Sequence, residues 1–328
     1  MKAIAALDVY EIDNPQAFEE IDMPDPVAGP LDLVIRVEAV SVNPIDTLRR
    51  KRTNPQKVRV LGFDGAGTVV AVGDEVTDFS EGDEVWWAGD VGRHGANADY
   101  QAVDSRLVAR KPESWSFADA AALPLTALTA WESMFDHLRL NREDDGSLLI
   151  VGGAGGVGSI LTQLAKRLTA MSVVATASRE ESAQWCRTMG ADAVADHRDL
   201  VATAKPHAVD GYSYVFSSYT DGNIEAYAEL LRPFGHVVSV NGSKFDLVPL
   251  FPKAISFHWE NMFTRSRFAT WDMSVQGTIL SEVAALADAG DIVTTAGTVM
   301  EGFTPENLRQ AHALVETRRA VGKVVVTR

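Results

Sequence analysis

Between residues 148 and 168 the chain reads Leu148-Leu149-Ile150-Val151-Gly152-Gly153-Ala154-Gly155-Gly156-Val157-Gly158, followed by the helix-forming run Ser159 to Leu168. An apolar strand runs straight into a turn in which Gly153, Gly155 and Gly158 keep the spacing G-x-G-x-x-G, and a helix begins at once. Glycines so spaced let the backbone reverse sharply and let a helix start close against the strand that feeds it. The first turn of that helix offers N–H groups with no intrahelical acceptor and the positive end of the peptide dipoles, which together suit a diphosphate. A merely flexible glycine loop would not need the strand before it and the helix after it. The segment therefore points to a dinucleotide site formed by Gly153, Ala154, Gly155, Gly156, Val157 and Gly158.

Such a turn belongs in a parallel sheet, and the flanking sequence supplies one. Strands are expected at Leu148–Val151, Ser172–Ala177, Ala193–Ala195, Tyr214–Ser217 and His236–Val240, with helices at Gly156–Leu168, Glu180–Met189 and Asn223–Leu231. Ile255–Trp259 can close the sheet as a sixth strand. This alternation predicts an α/β fold with a doubly wound parallel sheet. The first ~115 residues differ: short apolar runs at Leu33–Val40, Gly67–Val72, Asp83–Trp87 and Tyr100–Val103 are separated by Gly, Pro, Asp and Asn, as in a β-rich domain. Phe117–Leu138 is Ala-rich and apolar behind the candidate N-cap Ser116, and predicts one long helix. The tail predicts two amphipathic helices, Met273–Ala289 and Pro305–Arg318, and a last strand at Lys323–Val326.

A formal charge of −15 argues against binding a phosphate backbone, which needs clustered Lys and Arg. No stretch approaches the ~20 apolar residues of a membrane span, and the first acid, Asp8, arrives too early for a secretory segment, so a cytoplasmic protein without nucleic-acid or membrane partners is expected. Cys186 is the only cysteine; no intrachain disulfide and no multi-cysteine zinc site can form. After the second strand of the dinucleotide unit the chain reads Ala177-Ser178-Arg179, where a carboxylate would bind a ribose 2′-hydroxyl and an Arg suits a 2′-phosphate. Ser178 and Arg179 therefore favour NADP(H) over NAD(H), the alternative being that Arg179 is a solvated cation at a helix start.

With these residues in view the chain resembles the medium-chain dehydrogenase/reductase superfamily, in its zinc-free quinone oxidoreductase-like branch and a subgroup often labelled zinc-type alcohol dehydrogenase-like. The resemblance runs nearly end to end. It is carried by Ser41-Val42-Asn43-Pro44-Ile45-Asp46, Gly62-Phe63-Asp64-Gly65-Ala66-Gly67, Phe79 to Val85, Ala122 to Ala130 and the glycine turn. It implies a GroES-like β-rich catalytic domain from both chain ends (1–117 and 262–328) around a Rossmann domain (118–261). It also implies a homodimer along the edge strand near Ile255–Trp259, since exposed edges are pairing templates. Zinc-dependent members carry Cys, a His-Glu pair and a second Cys where this chain has Asn43, Phe63-Asp64 and Leu125. Only Asp64 is a serviceable ligand, so no metal is expected.

Without a Lewis acid the chemistry that fits best is hydride transfer from NADPH to a quinone or α,β-unsaturated carbonyl, whose conjugation spreads the incoming charge. The alternatives are an NADPH-dependent alcohol dehydrogenase or carbonyl reductase, and an NADPH-binding sensor without turnover. Asn43 either donates to the developing oxyanion or is a turn residue before Pro44; Asp46 either orients Asn43 or pairs with Arg49 or Arg50. By the resemblance Thr126 lies on the nicotinamide side, Ser217, Ser218, Asn241 and Gly242 near nicotinamide and its ribose, His197 near the adenosine phosphate, and Lys323 on the cofactor side. Leu48 stands where relatives often carry a Tyr. Trp86, Trp87, Trp259, Met262 and Phe263 either wall a flat apolar substrate pocket or are core.

Overall fold

The structure is a computed structural model that describes residues 1–56 and 58–328. The chain forms two compact units, Met1–Leu125 with Phe263–Arg328, and Thr126–Met262. The first opens with β1 (Lys2–Ala5) paired antiparallel to β2 (Glu19–Asp22). Next come β3 (Asp32–Val42), α1 (Pro44–Arg50), β4 (Asp64–Val72), β5 (Glu84–Trp87), β6 (Tyr100–Asp104) and β7 (Val108–Arg110). Strand β3 is central: one side pairs with β4, Ser41 opposite Asp64, and its first half with β6. Strand β4 begins three residues before the apolar run that announced it, since Asp64, Gly65 and Ala66 also pair with β3, and its glycines fill a packing need. A Cβ on Gly65 would lie 2.4 Å from the Trp87 ring, and one on Gly67 2.1 Å from the Arg36 carbonyl oxygen.

The long helix expected at Phe117–Leu138 is broken. Ser116 caps α2 (Phe117–Ala121) by accepting from the Asp119 N–H, and Pro124 starts a separate α3 (Pro124–Trp131) that runs into a wide π-helical turn, Glu132–His137. Proline lacks the N–H to continue the first helix but is well placed to begin the second, so an apolar pattern that reads as continuous is interrupted.

The second unit is wound around β8 (Ser147–Val151), α4 (Gly156–Leu168), β9 (Ser172–Thr176), α5 (Glu180–Thr188), β10 (Ala193–Ala195), α6 (Leu200–Ala204), β11 (Tyr212–Ser217), α7 (Ile224–Leu230), β12 (Leu231–Ser239) and β13 (Ser256–Trp259). Its strands lie in the order β10-β9-β8-β11-β12-β13, all parallel. The order reverses between β8 and β11, which makes the carboxyl ends of those strands the switch point where ligands of such sheets gather. The sixth strand read from Ile255–Trp259 is β13, at the edge.

The chain then returns to the first unit with α8 (Phe263–Phe268), α9 (Val275–Asp288), β14 (Ala296–Glu301), α10 (Pro305–Glu316) and β15 (Lys323–Thr327). Strand β15 joins β3 antiparallel, Val324 opposite Val42, and β14 parallel. Among the described residues no helix is long and apolar enough to cross a membrane.

Helix α10 covers the β-rich core with Leu308, Ala311 and His312. The imidazole of His312 is fully buried, edge-on to Phe18 at 4.6 Å, and neither ring nitrogen has a hydrogen-bond partner among the described residues. Burial first, then the nearby Arg50 guanidinium, push its pKa down to about 3. An unfolded chain takes up this proton near the ordinary 6.5 while the folded one does not. The stability contributed is therefore complete above that pH and is lost as the pH falls toward 3. At a pH near 4.5, roughly 1.4 kcal/mol per unit gives a loss of about 2–3 kcal/mol. His312→Phe should erase that loss. Urea unfolding near pH 7.5 and near pH 4.5 should show the variant gaining on the wild type by this amount at the lower pH, whatever its packing cost. A pH-independent difference would contradict a neutral buried ring.

Candidate active site

The glycine turn leaves β8 through Gly152, whose φ of +94° places it in the left-handed region that favours glycine. Its N–H donates to Thr176 Oγ1 at 3.0 Å, and the Gly153 N–H to the Thr176 carbonyl at 3.2 Å, which pins the turn to the end of β9. The three motif glycines serve different ends. A Cβ on Gly153 would stand 2.6 Å from the Ala175 Cβ and 3.0 Å from Cys186 Sγ; one on Gly158 would stand 2.4 Å from the Gly152 carbonyl oxygen. Both are required by packing inside the unit. A Cβ on Gly155, the N-cap of α4, would meet nothing nearer than 3.4 Å, so the space before the helix start is open. The first backbone bond of α4 runs from Ser159 N to Gly155 O, which places the amides of Gly156, Val157 and Gly158 in the unpaired first turn, with no acidic residue there. This is a cradle for an anion.

Around it the sheet brings most of the expected cofactor residues to one edge. The Ala177 N–H donates to the Ala195 carbonyl, so half-buried Ser178 and Arg179 follow β9 alongside exposed His197, which follows β10. Arg179 occupies the N-cap position of α5 and lies 3.8 Å from Glu181, while Glu180 turns away to Arg187. Ser218 donates its N–H to the Val151 carbonyl beside the turn. Ser217 is corrected: its hydroxyl points into the core, sharing a 2.7 Å hydrogen bond with the Tyr227 hydroxyl and accepting from the Tyr219 N–H. The Asn241 side-chain oxygen accepts from the Thr220 N–H, bracing the end of β11 against that of β12, and Gly242 is exposed. Cys186 is buried, and burial pushes its thiol up to about 11.

In the first unit a second cluster forms where β3, β4 and β15 meet. The pairing of Ser41 with Asp64 and of Val42 with Val324 gathers Ser41, Asn43, Asp64 and Lys323, all essentially buried. Lys323 Nζ donates to Ser41 Oγ at 2.7 Å, Asn43 Oδ1 at 2.8 Å and Asp64 Oδ2 at 2.8 Å. Asp64 Oδ2 also accepts from Asn43 Nδ2 at 2.7 Å and Ser41 Oγ at 2.9 Å, while Asp64 Oδ1 accepts from the Leu125 N–H at 2.6 Å. Two buried charges held this way are tolerated because every donor of the ammonium finds an acceptor. Next to them Asp46 accepts from the Asn43 and Gly62 N–H groups at 2.9 and 3.0 Å. Burial raises its pKa to about 7, while the two amide donors pull the other way.

This geometry revises several sequence expectations. All three ammonium donors of Lys323, expected on the cofactor side, are engaged inside the cluster. Asn43 has its carbonyl on Lys323 and one amide hydrogen on Asp64, leaving at most one hydrogen to give. Asp46 orients the Asn43 and Gly62 backbones, and Arg50 bonds instead to Glu316 and the Tyr10 carbonyl. Thr126 is buried in α3 directly after Leu125. Trp86 and Trp87 are core: Trp87 donates to Gln101 at 2.8 Å and covers Gly65, and Trp86 meets Trp115 edge-on. Met262 is buried, Phe263 packs on Phe63 at 5.4 Å, and Trp259, 52% exposed on edge strand β13, leans on Phe257. Ser41 was missed, although a lysine and an aspartate in otherwise apolar strands signal a buried pair that needs further partners.

Two family models match, "Alcohol dehydrogenase GroES-like domain" over residues 29–113 and "Zinc-binding dehydrogenase" over residues 189–326. A zinc-type alcohol dehydrogenase-like protein of Staphylococcus aureus is 40% identical over 99% of both chains. The NADPH-dependent alkenal/one oxidoreductase of Arabidopsis thaliana chloroplasts is 31% identical over 90% of this chain and 71% of that protein. The crystal structure of a Rhizobium etli protein assigned as a zinc-dependent alcohol dehydrogenase superposes with a TM-score of 0.96 at 42% identity, over 100% of this chain and 98% of that one. With a GroES-like unit built from both chain ends, a Rossmann unit from the segment between them, and full-length relatives of this identity, the chain belongs to the medium-chain dehydrogenase/reductase superfamily, among its zinc-type alcohol dehydrogenase-like members.

Proposed function

We propose that this oxidoreductase uses NADPH to reduce a quinone or an α,β-unsaturated carbonyl compound without a bound metal. The observation that carries the proposal is the glycine turn, two of whose glycines are demanded by packing while Gly155 opens the helix start to a ligand, together with an Arg and no carboxylate at the end of β9. The α4 amides hold the diphosphate, and Ser178 and Arg179 hold the 2′-phosphate by charge-assisted hydrogen bonds. The Arabidopsis relative, named for NADPH and alkenal/one substrates, supports the same reading.

Zinc does not fit the residues present. Phe63 and Leu125 bring no side-chain donor, Asn43 is a poor ligand, and Asp64 is bonded to an ammonium. Among the described residues no three His, Cys, Asp or Glu side chains are grouped to hold a metal. NADPH, when bound, supplies the hydride. A conjugated acceptor takes the charge onto its own oxygen, so the protein has to position, exclude water and offer hydrogen bonds there.

Arg179→Asp tests the cofactor assignment. It should weaken NADPH about 30- to 100-fold in KM, the value of a charge-assisted pair of roughly 2–3 kcal/mol, and change NADH less than about 3-fold on the same scale. Rates with 1,4-benzoquinone, an enone and a simple ketone, taken alongside metal analysis, define the acceptor. Equal losses for both cofactors, or turnover restricted to the simple ketone and dependent on zinc, would overturn the proposal.

A further inference from the structure

Of the four positions that stand in place of the family's metal ligands, Phe63 packs on Phe263, while Asn43, Asp64 and Leu125 remain linked. Asn43 and Asp64 join through their side chains, and Leu125 joins through its N–H on the outer Asp64 oxygen. The side chains of Asn43 and Asp64 converge on Lys323. Its ammonium lies against three oxygens, Ser41 Oγ, Asn43 Oδ1 and Asp64 Oδ2, at 2.7–2.8 Å, an oxygen tripod of the sort that holds a cation. The lysine has no room to leave: it starts β15 and is 4% exposed, and its partner Asp64 is 0% exposed. A dication bonded to Asp64 Oδ2 would stand within a hydrogen-bond length of this ammonium, deep in a low-dielectric interior where like charges repel most strongly.

We propose that Lys323 is a resident cation that occupies the metal seat, so that zinc is kept out by a filled position and not only by missing ligands. The inference rests on the metal-free reading above, and it makes Lys323 the residue that determines metal specificity. It gives the buried Lys a task that the cofactor does not, and it explains why Ser41 and Asn43 present oxygens to one point.

The test restores ligands with and without the lysine. In Ser41→Cys/Asn43→Cys, two thiolates join Asp64 as the three protein donors of an open tetrahedral site. Cobalt(II) is the probe, followed by its thiolate charge-transfer absorption. With Lys323 in place the double variant should bind cobalt at least 100-fold more weakly than the triple variant that also carries Lys323→Ala, which should bind one equivalent. Equal binding in the two, or binding in neither, overturns the proposal. Should the triple variant fail to fold without metal, its refolding on addition of zinc, followed by circular dichroism, is the same positive result, and no refolding is the negative one. Lys323→Ala alone gives an independent check: zinc should raise its melting temperature and leave that of the wild type unchanged, and a rise in neither counts against a cation seat. None of these readouts uses turnover. NADPH oxidation by the wild type, measured separately, decides the proposed activity, and stoichiometric zinc on Asp64 in the wild type would sink both.

Discussion

Replacing Gly155 with alanine will leave the protein folded and strip it of dinucleotide binding. The added Cβ has no protein atom nearer than 3.4 Å, and the backbone there is extended at φ −79°, so the unit accepts it at a cost of about 1 kcal/mol at most as a poorer N-cap. What the methyl enters is the open space before α4, where a diphosphate must come within hydrogen-bond distance of the first-turn amides. NADPH affinity should fall about 100-fold, or roughly 3 kcal/mol. Gly158→Ala is the contrast. Its Cβ would sit 2.4 Å from a backbone carbonyl oxygen, α4 must shift away from the turn, and stability should drop by about 1–3 kcal/mol along with binding. Nucleotide titration beside thermal melting separates the two. If Gly155→Ala binds like the wild type, or melts as early as Gly158→Ala, the division of labour among the glycines is wrong.

Lys323→Met is expected to be among the most damaging single changes in the first unit. The methionine matches the stem of the lysine but leaves Asp64, fully buried, without its counter-charge, and breaking a buried pair from one side costs about 3–5 kcal/mol. Removing the charge on both sides is cheaper: Lys323→Met/Asp64→Asn should recover at least half of the loss, since the amide can still accept from Leu125 while no ion is left uncompensated. Urea unfolding of the four proteins in the cycle measures the coupling. A loss below about 1 kcal/mol for Lys323→Met would mean that the pair is far better solvated than its burial implies.

The two units were unequally legible. The parallel sheet could be read almost strand by strand because its strands are short apolar runs, because β8, β9 and β11 each lead into a helix, and because the glycine turn announced where the order reverses. The β-rich unit gave up β3, β5 and β6, whose ends are marked by Gly, Asp and Pro, and most of β4 and β15, but hid β1, β2, β7 and β14; in β14 Ala296 to Glu301 is only half-buried at alternate positions and Gly297 packs hard on Val321. Trp86 and Trp87 misled because neighbouring strand residues face opposite ways. Both are buried since both faces of β5 are covered, and two adjacent tryptophans cannot wall one pocket. The Ser41–Asn43–Asp64–Lys323 cluster could not be assembled from spacing at all. Its lysine is 259 residues from its aspartate along the chain and reaches it only through the β15–β3–β4 register, while alone it reads as a solvated strand-start cation.

The thiol of Cys186, tucked behind Gly153, is held protonated by its surroundings. Alkylating reagents that attack thiolates will therefore pass the native chain by. Any cysteine introduced on the surface becomes the one reactive handle, so fluorophores or spin labels can be placed on either unit, and the response of the chain to nucleotide followed by distance, without first engineering a cysteine-free parent.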